Sequence, residues 1–296
     1  LRAPGLSLDN VYLAVLDGTI VSQVLDHERT VRVGEYPARL GAIGAVYTLP
    51  EHRGNGYAGR LLGSVQSALD EKGYAYSMLH TGSGIQGLYR GQGWEEVFYP
   101  RYVLDGPPTG EGSTDRFRAF DRERDLDAVA ACHRIDHADR EGAMHRPHHY
   151  WPDWILDPEK EVLGDGRIRV YEEGGAVTGY LADHPAGTDG DATDDADDGR
   201  ECLEVAYRGD DRRSFLLACW DALAGAGPVT WHPPLPDAVR DAVEGSVQRE
   251  RCDGTMVQLH DAALVSRLAG TPVESTAALV ERLHDGGFIA LPLDAF

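Results

Sequence analysis

The sequence predicts an α/β protein made of two related units, each a mixed, mostly antiparallel sheet flanked by helices. Extended, β-branched stretches alternate with segments whose apolar residues recur at helical spacing. A similar order of elements occurs twice, once on each side of a glycine- and proline-rich run at 106–113. A length of 296 residues is sufficient for two domains.

The first unit begins with a predicted hairpin. Asp17-Gly18 follows the apolar run Val11–Leu16, and this dipeptide is typical of a two-residue turn between antiparallel strands. Apolar residues from Tyr57 to Leu69 then recur at helical spacing, and Lys72-Gly73 is a typical helix end. The other predicted elements of this unit are strands at 19–21, 30–33, 38–48, 74–80 and 94–104 and a short helix at 85–90.

A second unit is predicted after the linker. Its elements are strands at 117–120, 168–171, 177–181, 202–207 and 229–232 and helices at 126–135 and 213–223. Two short helices are expected beyond it, at 262–268 and 276–283. We therefore divide the chain into an N-terminal domain at 1–105, a linker at 106–115, a second domain at 116–260 and a C-terminal helical tail at 261–296.

The charge balance argues against a nucleic-acid partner. There are 28 basic and 49 acidic residues, which gives a formal net charge of −21. Phosphate neutralisation needs clustered lysine and arginine. Only Lys72 and Lys160 are lysines, and an excess of aspartate with almost no lysine resembles the proteins of salt-loving archaea, whose acidic surface is screened in molar salt. An acidic protein from a GC-rich bacterium is the alternative.

Cysteine usage and hydropathy favour the cytoplasm. The four cysteines are scattered and form no CxxC pair, which indicates neither a disulfide framework nor a zinc site. No apolar run reaches the roughly 18–20 residues of a membrane span, so we expect no membrane partner.

A glycine-rich loop between a predicted strand and a predicted helix carries the clearest functional signal. It runs from Thr48 to Ala58 and reads TLPEHRGNGYA. Unpaired N–H groups at a helix start form an anion site suited to pyrophosphate, and glycines let the backbone approach closely. The loop lacks the frame of a dinucleotide fingerprint and the Gly-Lys-Ser/Thr of a Walker loop. An ordinary strand–turn–helix is the alternative.

The pattern Arg53-x-x-Gly56-x-Ala58, in this strand–loop–helix context, resembles motif A of the GCN5-related N-acetyltransferases (GNAT). The resemblance implies that the loop binds the pyrophosphate of acetyl-CoA as co-substrate. It also implies that backbone groups of the preceding strand pair with the pantetheine arm and polarise the thioester carbonyl. The implied cofactor-binding residues are Val46, Tyr47, Thr48, Arg53, Gly54, Asn55, Gly56, Tyr57, Ala58 and Gly59.

A second segment is similar to the same family. The run from Leu88 to Trp94, LYRGQGW, resembles the family's tyrosine-containing segment, in which the hydroxyl lies near the thioester sulfur. The resemblance implies that Tyr89 is the general acid that protonates the departing CoA thiolate. A phenol with a pKa near 10 is protonated at neutral pH and suits that role. A core aromatic residue on a short helix is the alternative.

The stretch from Val11 to Leu104 resembles the enhanced-intracellular-survival (Eis) type of acetyltransferase, in particular at 79–83 and 88–89. That type has an acetyltransferase domain, a degenerate second copy and a sterol-carrier-like C-terminal domain, of which 261–296 would be a remnant. The second unit has Asp210 and Asp211 where phosphates would approach, so it should not bind CoA. The chain starts at the first long strand, and we expect the N-terminal elements that shape the family's acceptor pocket to be absent.

The implied reaction is direct attack of a primary amine on the acetyl group in a ternary complex. His80, at the end of a predicted strand, is the candidate base or water-orienting residue, and a histidine that bonds a backbone group there is the alternative. In the Eis type the C-terminal carboxylate serves as base; whether the Phe296 carboxylate does so stays open. The acceptor class is also open, and the family's habit implies a homo-oligomer, a hexamer or smaller.

Two further points complete the expectations. His133 and His137 stand four residues apart, a spacing that can share a metal, but no HExxH or cysteine partner accompanies them. We therefore expect surface or interface histidines and no metal site. A non-catalytic binding or assembly module with the acetyltransferase fold is the alternative to the enzyme.

Overall fold

The computed structural model describes residues 7–82, 84–108, 112–157, 167–185, 199–224, 227–242 and 246–288. Phe296 lies outside these residues. The strands are β1 (Val11–Leu16), β2 (Thr19–Val33), β3 (Tyr36–Thr48), β4 (Tyr76–His80), β5 (Glu95–Asp105), β6 (Phe117–Ala119), β7 (Ile168–Glu173), β8 (Ala176–Pro185), β9 (Arg200–Tyr207), β10 (Val229–Trp231) and β11 (Ser246–Leu259). The helices are α1 (Tyr57–Glu71), α2 (Gln86–Arg90), α3 (Arg122–Asp136), α4 (Arg212–Asp221), α5 (Asp237–Arg240), α6 (Ala262–Ala269) and α7 (Thr276–Asp285).

All eleven strands form one sheet, in the order β1-β2-β3-β4-β11-β5-β10-β9-β8-β7-β6. Two neighbouring pairs are parallel, β3 with β4 and β9 with β10, and the other pairs are antiparallel. In each half one helix connects the two parallel strands, α1 in the first half and α4 in the second. The predicted fold class, a mostly antiparallel mixed sheet flanked by helices, is confirmed.

The two halves exchange their last strands at the middle of the sheet. β11, from the second half of the sequence, lies between β4 and β5. β5, from the first half, lies between β11 and β10. The exchange makes the sheet continuous and ties the end of the predicted second unit into the first. The domain boundaries at 105, 115 and 260 stay a prediction, since the sheet crosses them.

β11 was not predicted from the sequence. Its first half contains Gln248, Arg249, Glu250 and Arg251, so it has no apolar alternation to mark it as a strand. In the structure these residues pair with β5, and Arg101 Nε on β5 lies 2.8 Å from Glu250 Oε2. The apolar part, Met256 and Val257, is buried, because it lies at the centre of the sheet.

The helices cover both faces of the first half of the sheet. α1 buries Leu61, Leu62, Val65 and Leu69 against one face. The opposite face packs against α6 and α7 through Val265, Leu279 and Leu283. Residues 261–288, the described part of the predicted C-terminal tail, therefore contribute to the core beside the first unit. Every helix predicted from the sequence is present, with ends within four residues of those expected.

Candidate functional site

A gap opens in the sheet between β3 and β4. Their parallel pairing is confined to Leu40–Ala42 on β3 and Tyr76–Met78 on β4. Beyond that point β4 pairs only with β11, through His80 and Thr255, and β3 pairs only with β2. The last six residues of β3 therefore have a strand partner on one side only, and the main-chain groups on their other side face the gap.

A bulge shapes the same end of β3. The register between β2 and β3 shifts between Gln23 and Leu25, and Ala45 opposite has a φ of +48°. A non-glycine residue in this left-handed region is uncommon and frequently marks a functional segment. Ser22 fixes the strand end from the β2 side, because its hydroxyl lies 2.9 Å from the Tyr47 carbonyl and 2.8 Å from the Thr48 hydroxyl.

The loop after β3 is exposed and leads into α1. Gly54 and Gly56 both have left-handed φ values, +78° and +73°, and a Cβ on either would meet no other atom within 4 Å. Asn55 closes the loop, with its amide nitrogen 3.0 Å from the His52 carbonyl. Arg53 Nε donates to the Thr48 carbonyl at 3.2 Å, so its guanidinium is anchored at the end of β3.

No side chain caps the N–H groups at the start of α1. Its N-cap is Gly56, which provides no side-chain cap, and the first intrahelical bond is from the Arg60 amide to the Gly56 carbonyl at 3.1 Å. The N–H groups of Tyr57, Ala58 and Gly59 precede that bond. The helix dipole adds a partial positive charge there. An anion that reaches this end would therefore find several unpaired donors.

The corresponding position in the second half is filled by protein atoms. α4 follows β9 as α1 follows β3, but its N-cap is Asp211, whose carboxylate accepts from the Ser214 amide at 3.0 Å. The Tyr207 hydroxyl accepts from the Asp211 amide at 3.3 Å, and the Tyr207 ring stacks on Phe215 at 4.6 Å. A carboxylate stands where an anionic ligand would bind, which supports the prediction that the second unit does not bind CoA.

Tyr89 lies on α2, in the core on the α1 side of the sheet. Only 4% of its surface is exposed, and its ring contacts Trp94 edge-on at 6.2 Å. Its hydroxyl lies close to the side chain of Thr81, the residue directly after β4. Burial raises the pKa of the Tyr89 hydroxyl and the Thr81 contact opposes the rise. Tyr89 is therefore both a buried core residue and a residue beside the end of β4.

His80 lies on the opposite face of the sheet from Tyr89. Side chains alternate along a strand, and Leu79 packs with Tyr89 on the α1 side, whereas Met78 packs with α6 and α7. His80 Nδ1 lies 3.0 Å from the Thr255 hydroxyl on β11. The structure thus brings His80 and Tyr89 to the same end of β4 but on either side of it, and they do not contact each other.

Residues of β11 line this end of β4, and they were not predicted from the sequence. The Thr81 amide donates to the Gly254 carbonyl at 2.8 Å, and the Gly254 amide donates to Glu96 Oε1 at 3.2 Å. Gly254 has a φ of +89° within a bulge of β11. A glycine next to a threonine after a charged run is the one local signal, and it becomes meaningful only once β11 is placed beside β4.

The face of β2 opposite α1 is covered by a segment of the second half. Arg29 lies 5.2 Å from the ring centre of Tyr150 and 5.5 Å from that of Trp154. His27 and Trp154 contact each other at 6.4 Å. The second half thus contributes aromatic side chains to this face of β2.

Two other properties of the described residues bear on the expectations. All four cysteines are buried and free. No helix in the part of the chain that the structure describes is long and apolar enough to cross a membrane.

A comparison with protein families matches residues 1–97 to the acetyltransferase (GNAT) domain. The match covers the loop, the gap between β3 and β4, His80 and Tyr89. A search of curated proteins finds no similar sequence. The match to this domain is thus confined to the N-terminal third of the chain.

Solved structures share the fold over most of the chain. A probable N-acyltransferase of Enterococcus faecalis V583 has a TM-score of 0.65 and 16% identity, over 85% of this chain and 62% of that one. Eis1 from Mycobacterium abscessus has a TM-score of 0.62 and 17% identity, over 87% of this chain and 66% of that one. A GCN5-related N-acetyltransferase from Kribbella flavida has a TM-score of 0.59 and 18% identity, over 83% of this chain and 58% of that one. The chain thus spans less than two thirds of the length of each of these proteins.

Proposed function

We propose that this chain is an acetyl-CoA-dependent N-acetyltransferase that moves an acetyl group to a primary amine by direct attack in a ternary complex. The observation that carries the proposal is the uncapped, glycine-lined start of α1 at the end of the gap between β3 and β4. This arrangement lies within the segment that matches the GNAT domain.

The cofactor would lie along the gap with its pyrophosphate at α1. The free N–H groups of Tyr57, Ala58 and Gly59 would donate to the phosphate oxygens, and the Arg53 guanidinium would add charge-assisted bonds. The open space in front of Gly54 and Gly56 leaves room for the phosphates. The main-chain groups at Val46–Thr48 would pair with the pantetheine arm and orient the thioester carbonyl.

Two proton transfers accompany the reaction. The amine nitrogen forms a bond to the acetyl carbon, the bond from that carbon to sulfur breaks, and the sulfur needs a proton. Tyr89 would donate it, and its raised pKa keeps the hydroxyl protonated at neutral pH. The amine nitrogen loses a proton, which His80 would accept directly or through one water. The two groups lie on either side of β4, so each would serve a different reactant.

The relationship to the Eis type belongs to the same proposal. The fold shared with Eis1 of Mycobacterium abscessus and the exchange of last strands between two related halves support it. We extend the proposal to a cytoplasmic homo-oligomer with an amine acceptor, small or on a protein. The net charge of −21 would attract a cationic amine in dilute salt.

Calorimetric titration of acetyl-CoA tests the loop. The wild type should bind acetyl-CoA with 1:1 stoichiometry and should bind pantetheine, which lacks the pyrophosphate, at least about 100-fold more weakly. Gly56→Leu places a side chain in the phosphate space and should abolish binding. Gly18→Leu is the matched control, because Gly18 also has a left-handed φ, +80°, and open space around its Cβ position but lies in the β1–β2 turn.

Each outcome decides between the two functions. Loss of binding in Gly56→Leu alone supports the phosphate site and leads to assays with amine acceptors. Equal binding by all three proteins would disprove the assignment of the loop. A folded wild type that binds no acetyl-CoA would favour the non-catalytic module.

A further inference from the structure

A buried cluster lies in the second half, away from the gap between β3 and β4. It consists of His133 and His137 on α3 and Glu204 on β9. One nitrogen of each imidazole and one oxygen of the carboxylate all lie within 4.8 Å of one another. His133 is 3% exposed, His137 is 6% exposed and Glu204 is fully buried. Our expectation of surface or interface histidines is therefore wrong for this pair, which points inward from the helix.

The hydrogen bond of His137 fixes its tautomer. Nδ1 lies 3.0 Å from the main-chain oxygen of His133, and a carbonyl oxygen only accepts, so Nδ1 carries the proton. The lone pair is then on Nε2, which is buried and has no hydrogen-bond partner among the residues that the structure describes. A buried acceptor without a partner is costly. This arrangement, with one imidazole N–H on a carbonyl and the other nitrogen bare, is typical of metal-bound histidine.

Neighbouring side chains hold the carboxylate in place. Arg146 donates to both oxygens of Glu204, at 2.9 and 2.6 Å, and the Tyr180 hydroxyl also donates to the carboxylate.

An open cavity of about 360 Å³ adjoins the cluster. Its lining includes His133, His137 and Arg146, together with residues 35–37 of the first half and residues 143–145. Two histidines and one carboxylate are the donor set that zinc takes when a fourth position stays open. The cavity provides access to that position from solvent and space for a water molecule there.

We propose that His133, His137 and Glu204 bind one divalent transition-metal ion of the zinc class, with its fourth position open to the adjoining cavity. All three ligands belong to the second half, on α3 and β9, and the β2–β3 turn of the first half lines the adjoining cavity.

The test uses the full chain, freed of metal with a chelator and titrated with Co²⁺ as a spectroscopic probe. The wild type should bind one equivalent and develop the intense visible absorption of a four-coordinate site. Zn²⁺ should displace Co²⁺ and raise the unfolding temperature. His137→Gln and His133→Gln, checked for folding by circular dichroism, should each weaken binding by at least about 100-fold.

The control is His148→Gln. His148 is exposed and lies outside the cluster, and its Nε2 is 2.9 Å from Asp127 Oδ1. This variant should bind like the wild type. Binding that survives in both cluster variants would place the ion elsewhere on this acidic protein and overturn the proposal. Absence of stoichiometric binding by the wild type would also overturn it, and a buried water would then be the partner of His137. The readout needs no turnover, so it does not depend on the proposed acetyl transfer.

Discussion

The Thr81 amide donates a hydrogen bond to the Gly254 carbonyl at 2.8 Å, and this contact joins the end of β4 to a strand from the far end of the sequence. The Thr81 side chain also lies close to the hydroxyl of Tyr89. The position of the candidate acid therefore depends on β11 as well as on the GNAT segment. A substitution at Gly254 should therefore change the position of Tyr89.

Gly254→Ala should lower both stability and turnover. The new Cβ would overlap the Thr81 carbonyl oxygen, and the residue has a left-handed φ of +89°. We expect a loss of about 2–3 kcal/mol in the free energy of unfolding and at least a tenfold lower kcat. Gly270→Ala is the control, because its φ is +68° with open space around Cβ, so it should lose only about 1 kcal/mol and keep its kcat. Equal losses in the two variants, measured by urea unfolding and kcat, would contradict the argument.

Tyr89→Phe should lower turnover more than affinity. Phenylalanine fills the same core space beside Trp94 but has no proton to give, so we expect kcat to fall about 100-fold while the Kd of acetyl-CoA stays within about twofold. Tyr36→Phe, which changes an exposed tyrosine at the start of β3, should leave kcat unchanged. An unaltered kcat in Tyr89→Phe would remove the acid role.

The pH dependence offers a second check on Tyr89. Because burial raises the pKa of this hydroxyl above 10, it stays protonated through pH 9. Turnover of the wild type should therefore not fall between pH 7 and pH 9 through loss of this proton. A decline in kcat over that range that Tyr89→Phe abolishes would show a phenol with a lowered pKa instead.

Asp26→Asn should stabilise the protein at neutral pH. The Asp26 carboxyl is buried, and burial raises its pKa from 3.8 to about 6, against the opposing effects of Tyr74 and Lys72. Since the folded state holds the proton more tightly than the unfolded state, stability is full below pH 4 and falls as the pH rises to 6 and above. The difference corresponds to about 3 kcal/mol at most.

Urea unfolding from pH 4 to pH 8 measures this effect. The wild type should lose stability relative to Asp26→Asn across that range, and the variant should be about 1–2 kcal/mol more stable at pH 8, since part of the gain is offset by burying an amide. Asp139→Asn, at an exposed position, should follow the wild type. Parallel pH profiles for all three proteins would refute the prediction.

High salt should stabilise the fold. The net charge of −21 repels itself in dilute buffer, and at 1 M salt the screening length falls to about 3 Å. We expect the unfolding temperature to rise by about 10 °C between 0.1 M and 2 M KCl. Sorbitol at equal osmolality controls for effects that do not involve charge. A flat response to KCl would favour an acidic protein adapted to ordinary salt.

Local signals explain what the sequence predicted well. Asp17-Gly18 forms the turn between β1 and β2 with left-handed φ values of 49° and 80°, because turn chemistry depends on the two residues themselves. α1 begins and ends where helical spacing and Lys72-Gly73 indicated, and Gly73 has a φ of +68°. The glycine-rich loop could likewise be predicted, since Gly54 and Gly56 take conformations that only glycine adopts at low cost.

The sequence by itself therefore determined the fold class, the helices and the loop before α1, because each depends on residues close together in the chain. Only the tertiary structure decided that β11 lies beside β4, that Gly254 contacts Thr81, that Tyr89 and His80 lie on opposite sides of the sheet, and that His133 and His137 meet Glu204. These contacts join segments that are distant in the sequence, so no local pattern of residues could predict them. A polar strand such as β11, which is paired on both sides in the sheet, carries no periodic sign of its position.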